Sequence, residues 1–256
     1  MTTVSPADSR DYLAGQRRMI IARSLVGSVA GALPVPFLDE RALTSVLGSG
    51  YRRIAAAYRI DLHHAAQQTL VHGHTPGASL AELAGGEIAF RIAGRAARRA
   101  MLAFAALGRA QFVTRTFVTL TLFHHYCARL HTGVAIDAAM ARALRDEIDR
   151  AIDIVPGDLE LSPFRRGAPP AARAAPRSSP SLGAARPDSV GGVEGALGTD
   201  DVDRALEAEL AKKGGLLSRM VAAIERQLSA EENLFLDRAI DALDRGWPVR
   251  AAAGFK

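Results

Sequence analysis

Ala32-Leu33-Pro34-Val35-Pro36-Phe37-Leu38-Asp39 stands between two long helical patterns. Ahead of it, Ile20, Ile21, Ser24, Leu25, Gly27, Ser28 and Gly31 recur on one smooth face of small and apolar side chains. Behind it, Leu43, Val46, Leu47, Tyr51, Ile54 and Tyr58 form an amphipathic stripe. Pro34 and Pro36 each disfavour helix in the residue before them, so the chain must break here. Asp39 is then placed to cap the next helix by accepting backbone N–H bonds. The reading is a tight helical hairpin whose first arm is smooth enough for close packing.

Working outward, composition points the same way. Hydrophobic residues make up 48% of the 256 residues, but aromatics only 5%. Abundant alanine with scarce aromatics favours packed helices over a β-sandwich, which would want β-branched and aromatic residues. The expected fold class is all-α, a multi-helix bundle with long small-residue-rich helices. A single cysteine, Cys127, excludes an internal disulfide. Met1 to Leu13 is polar and the apolar run after it lacks a cleavage pattern, so no signal peptide is expected.

Three segments are expected. The first, 5–155, is a helical bundle domain. Ser5-Pro6-Ala7-Asp8 reads as its first helix start. That helix reaches about Ala32, and a second covers Asp39 to Arg59. Asp61 is placed to cap a short third helix ending at Gly73. Ser79 and Glu82 form a capping box. Two long helices then run from Leu80 to His131, meeting near Gly108, with Thr132-Gly133 as the stop. Asp137 caps a last helix through Ile154. The second segment, 156–199, is rich in Pro, Ala, Gly, Ser and Arg and reads as a disordered linker. The third, 200–247, is a small C-terminal helical unit. It holds three short helices, the last started by a Ser229–Glu232 box and closed by Trp247-Pro248.

Charge follows this division. Residues 1–155 carry 18 Arg, no Lys and 12 acids, a net +6, whereas 200–256 is slightly acidic. A basic body suits an anionic membrane surface or an acidic protein partner, and solvated surface arginines are the plain alternative. Arg91, Arg95, Arg98 and Arg99 line one side of a helix whose other side is apolar. They are the expected docking face, either on anionic headgroups or simply in water.

Two stretches, 19–38 and 100–123, approach membrane-helix hydrophobicity. The second has ten Leu, Val or Phe residues but also Arg109 and Arg115. Insertion gains of about −3 to −6 kcal/mol meet a cost of about +5 to +7 kcal/mol for the two arginines. The balance is near zero at best. The expected location is cytoplasmic, with peripheral or partial attachment at the inner membrane as the alternative.

Little catalytic chemistry is visible. All seven histidines (His63, His64, His72, His74, His124, His125 and His131) lie between 63 and 131. Adjacent pairs point about 100° apart, so one of each could face a common site. His124 and His131 are expected to share a helical face, without an Asp or Glu in that helix. A metal-dependent enzyme built on this cluster is the alternative to a non-enzymatic module. Cys127 lies in an apolar helix, where a thiol acts as a small hydrophobe. No nucleophile elbow or Walker-type loop occurs. Basic residues are not interleaved with aromatics, which argues against nucleic acid as partner. No catalytic, cofactor-binding or metal-binding residue is assigned.

The order of small-residue helix, Pro-x-Pro, Asp and amphipathic helix ending in Tyr resembles the bacterial YcjF-like, GTPase-associated helical domain of unknown function. The matching residues are Pro34, Pro36, Asp39, Leu43, Thr44, Ile54, Ala55, Tyr58, Asp61 and Leu62, with Gly133 further on. The resemblance covers roughly residues 15–155. Phe37-Leu38 and Arg59 stand where such domains often have glycine. The resemblance implies an all-helical, membrane-associated or partner-binding module without catalytic residues or cofactor.

Overall fold

The structure, a computed structural model, describes residues 8–30, 38–73, 110–133, 135–155, 199–212, 214–230 and 234–254. Among them are eight α-helices and no strand. A 3₁₀ turn, Asp8–Leu13, leads into α1 (Ala14–Ala30). Then come α2 (Leu38–Ala57), α3 (His64–His72), α4 (Ala110–His125) and α5 (Ala138–Asp153). The last three are α6 (Thr199–Ala211), α7 (Leu216–Ala230) and α8 (Leu234–Ala252). The all-α multi-helix fold expected from composition is the fold observed.

Small residues let α1 lie close against α2 and α4. Ser24 and Ser28 turn their hydroxyls back onto the carbonyls of Ile20 and Leu25, so buried polar atoms are satisfied within the helix. Gly50 of α2 faces the Arg23 stem, where a Cβ would come within 2.7 Å of Cδ. Tyr51 and Phe123 meet edge to face at 4.9 Å between α2 and α4. The C-terminal helices lie on these: α6 packs on α2, α7 on α1, and α8 on α5. Leu206, Val221 and Leu243 join Ile20, Ile54, Leu70, Phe123 and Leu144 in one buried apolar cluster.

Several local expectations hold. Asp137 caps α5, its carboxylate accepting from Met140 N–H at 2.8 Å. Gly73 ends α3 in the left-handed region at φ +77°, and Gly133 follows α4 at φ +86°.

Others are corrected. Asp61 does not cap α3: the residue at that position is His63, with no side-chain cap. Asp61 instead lies in an extended pairing, its carbonyl accepting from Ile136 N–H at 2.9 Å. Pro248 does not close the last helix, which continues to Ala252. Proline in a helix interior costs about 3 kcal/mol. Here Trp247 is buried beside it, edge-on to Tyr126 at 5.0 Å, and this packing holds the helix through the break. The end of α4 also differs from a plain helix. Tyr126–Leu130 forms a π turn closed by His131 N–H on the Tyr126 carbonyl at 2.9 Å. His131 lies past that turn in extended conformation, so it does not share a helical face with His124.

The Pro34-Val35-Pro36 turn lies outside the described residues, as do Ser79–Glu82, Gly108 and the linker over 156–198. Of the expected Ser229–Glu232 box, Ser229 falls in the last turn of α7 and does not open α8, and Glu232 lies outside the described residues. Asp39 falls in the first turn of α2, which begins at Leu38.

Candidate functional site

The histidines mark where polar chemistry gathers, at the C-terminal end of α4. His125 is buried and bridges two other segments. Its Nε2–H donates to the Asp244 carboxylate of α8 at 2.6 Å. In the neutral ring this leaves Nδ1 as acceptor for the hydroxyl of Tyr12, from the 3₁₀ turn. The Arg129 guanidinium lies 5.0 Å from the centre of the Tyr12 ring. Burial raises the Tyr12 pKa, with Arg129 opposing it. The phenol therefore stays protonated and serves as donor.

His124 points the other way, towards α2. Its Nε2 is 2.8 Å from the Tyr58 hydroxyl, and the Tyr12 ring meets it edge-on at 6.0 Å. Only 1% of His124 is exposed, and its Nδ1 is buried without a hydrogen-bond partner. Burial, reinforced by neighbouring His125, pushes its pKa down to about 4. His124 is thus neutral near pH 7. Burial also pushes the Cys127 thiol well up, so it is held as an un-ionised, unreactive thiol.

This arrangement ties three segments, the 3₁₀ turn, α4 and α8, through one imidazole. Both ends are partly open: Tyr12 is half-buried and the Asp244 side chain is 43% exposed. Among the described residues, no group of three or more His, Cys, Asp or Glu is placed to hold a metal.

A second pattern is electrostatic. Arginines of the N-terminal segment face acids of the C-terminal helices. Arg10 pairs with Asp237 and, at 2.6 Å, with Asp241 of α8. Arg18 of α1 meets Glu225 of α7 at 3.5 Å. Arg52 and Arg53 of α2 face Asp203 and Glu207 of α6. Arg23 is the deepest of these, 1% exposed, bonded to Asp203 and to Ser49 Oγ at 3.2 Å. Burial lowers its pKa and Asp203 opposes the shift.

Two clefts open between helices. One, of about 450 Å³, runs between α5 and α8 over Gly246, flanked by Arg150, Arg245 and Arg250. The other, of about 250 Å³, lies between the 3₁₀ turn and α8, beside Arg10, Phe117 and Leu236. Neither is lined by Tyr12, His125 or Asp244.

Of the residues expected to form the hairpin and docking face, Pro34, Pro36, Arg91, Arg95, Arg98 and Arg99 lie outside the described residues. Sequence reading singled out His124 and His125 but missed their partners. Tyr12 lies 113 residues before His125 and Asp244 lies 119 after it. No local spacing could have joined them. No protein-family model, curated protein or solved structure matches the chain.

Proposed function

We propose that this chain is a non-enzymatic helical docking module that holds an acidic helical segment of a protein partner. The observation that carries this reading is the run of arginine–carboxylate pairs between the N-terminal body and α6–α8. Within the molecule, arginines of the N-terminal body already pair with carboxylates on the amphipathic helices α6–α8, of which α6 is strongly acidic. Arg–carboxylate pairs between helices give register and selectivity more than bulk affinity, which suits a docking surface.

No described helix is long and apolar enough to cross a membrane. An anionic membrane surface is therefore the second occupant to test, through peripheral contact. The full chain should retain a protein at about 50 mM salt and release it at about 500 mM, since screening weakens exposed ion pairs. Flotation with vesicles rich in anionic lipid, and no retained protein, would overturn the protein-partner reading in favour of the membrane surface. Stoichiometric metal in the purified chain would favour the histidine-based enzyme instead.

A further inference from the structure

The cleft between α5 and α8 has a chemistry that its own chain does not satisfy. Its walls follow helical spacing, with Glu147 and Arg150 on α5 and Ile154 just past its end, and Ala242, Arg245, Gly246, Val249 and Arg250 on α8 with Ala253 just past its end. The eleven steps from Ala242 to Ala253, at about 1.5 Å each, give a groove about 16 Å long, three helical turns. Gly246 forms the floor, where a Cβ would lie 2.9 Å from Glu147 Cδ, so the two helices approach closely. Four large apolar side chains are exposed among the described residues. Two of them sit at this cleft: Ile154 at 58% and Val249 at 71%.

The charges around this apolar floor do not cancel. Arg150 pairs with buried Glu147 at 2.7 Å. Arg250 reaches Asp146 only at 3.6 Å and keeps a buried Nε–H without an acceptor. Arg245 is exposed on the same wall. The cleft therefore offers a concave apolar strip with surplus positive charge on its rim. A flat bilayer cannot follow a concave strip, but the ridge of a helix can.

Building on the docking reading above, we infer that this cleft receives an amphipathic acidic helix from a partner protein. The helix sets aliphatic side chains, spaced three and four apart, against Ile154 and Val249. Its flanking carboxylates face Arg245 and Arg250.

The test uses the full chain and a labelled peptide of about 20 residues, with a Leu stripe flanked by Glu, read by fluorescence anisotropy. A peptide with Gln for every Glu is the comparison. The Glu peptide should bind at least tenfold more tightly than the Gln peptide. Arg245→Glu and, separately, Val249→Asp should each weaken it about tenfold. Arg226→Glu, on α7 and outside the cleft, should leave it unchanged. Helical circular dichroism should be the same for all three variants. Equal binding of both peptides, or insensitivity to Arg245→Glu, would overturn the inference. So would vesicle binding without peptide binding, or self-association abolished by Val249→Asp. If the peptide fails while salt-sensitive capture of a protein persists, this cleft is the wrong surface and the docking reading stands. Failure of both removes both.

Discussion

Lowering the pH should unfold this protein earlier than its carboxylates alone would dictate, and His124 is the cause. An unfolded histidine takes up a proton near pH 6.5, whereas burial holds folded His124 to about 4. Between those values the unfolded chain binds more protons, so stability falls as pH drops through this window. The full contribution is present above about pH 6.5 and is lost as pH approaches 4. At about 1.4 kcal/mol per pH unit, the gap corresponds to about 3 kcal/mol. That is a sizeable share of the roughly 5–15 kcal/mol that ordinarily holds a domain folded. Urea unfolding at pH 7, 6, 5 and 4.5 would measure it, comparing the wild type with His124→Phe. The variant replaces a neutral ring with an apolar one and leaves Tyr58 at the edge of solvent. Between pH 7 and 4.5 the wild type should lose about 2–3 kcal/mol more than the variant. Parallel pH profiles for the two proteins, or an NMR titration of His124 near pH 6.5, would refute the reasoning.

Asp203→Asn should destabilise by about 3 kcal/mol or more in urea titration, because it strands the buried Arg23 guanidinium without its counter-charge. Gly246→Ala should cost about 1–2 kcal/mol in thermal or urea unfolding, since the new methyl displaces buried Glu147. Gly15→Ala, in open space on α1, should stay within about 1 kcal/mol of wild type on the stabilising side. Arg59→Gly should stabilise by about 1 kcal/mol, because Arg59 holds φ +58° after α2, a conformation glycine adopts without a Cβ clash. A neutral or destabilising Arg59→Gly would mean that the arginine side chain compensates for its backbone.

What could be read from the sequence was what depends on neighbours along the chain. The apolar stripes at Val46, Leu47, Tyr51 and Ile54 and the cap at Asp137 rest on helical periodicity and local hydrogen bonding, and both hold in three dimensions. The misreadings arose where distant packing overrode a local signal. Pro248 reads as a stop until Tyr126 is set against Trp247. Asp61 reads as a cap until Ile136 pairs with its backbone. Arg59 carries no turn signature, yet the chain turns on it, with Ile60 N–H reaching back to the Ala55 carbonyl at 3.0 Å. The histidine cluster was visible as a count of residue types, but the partners of His125 come from both ends of the chain. Charge asymmetry between the halves was legible too; that the acids would lie on the arginines was not, because pairing is a property of the assembled surface.

The pairing of Arg23 with Asp203 sets an order in time. During synthesis the first five helices are complete about a hundred residues before α8 has been made. At about 5–20 residues per second, that interval lasts about 5–20 s. For about the first half of it, until Asp203 is made, the arginine destined for the deepest position has no carboxylate to meet, and the apolar faces awaiting α7 and α8 stay open to water longer still. The nascent chain is thus obliged to hold a half-built core while its closing helices emerge. This interval is when a chaperone has most to gain from it, and when a protease or a neighbouring nascent chain can do it most harm.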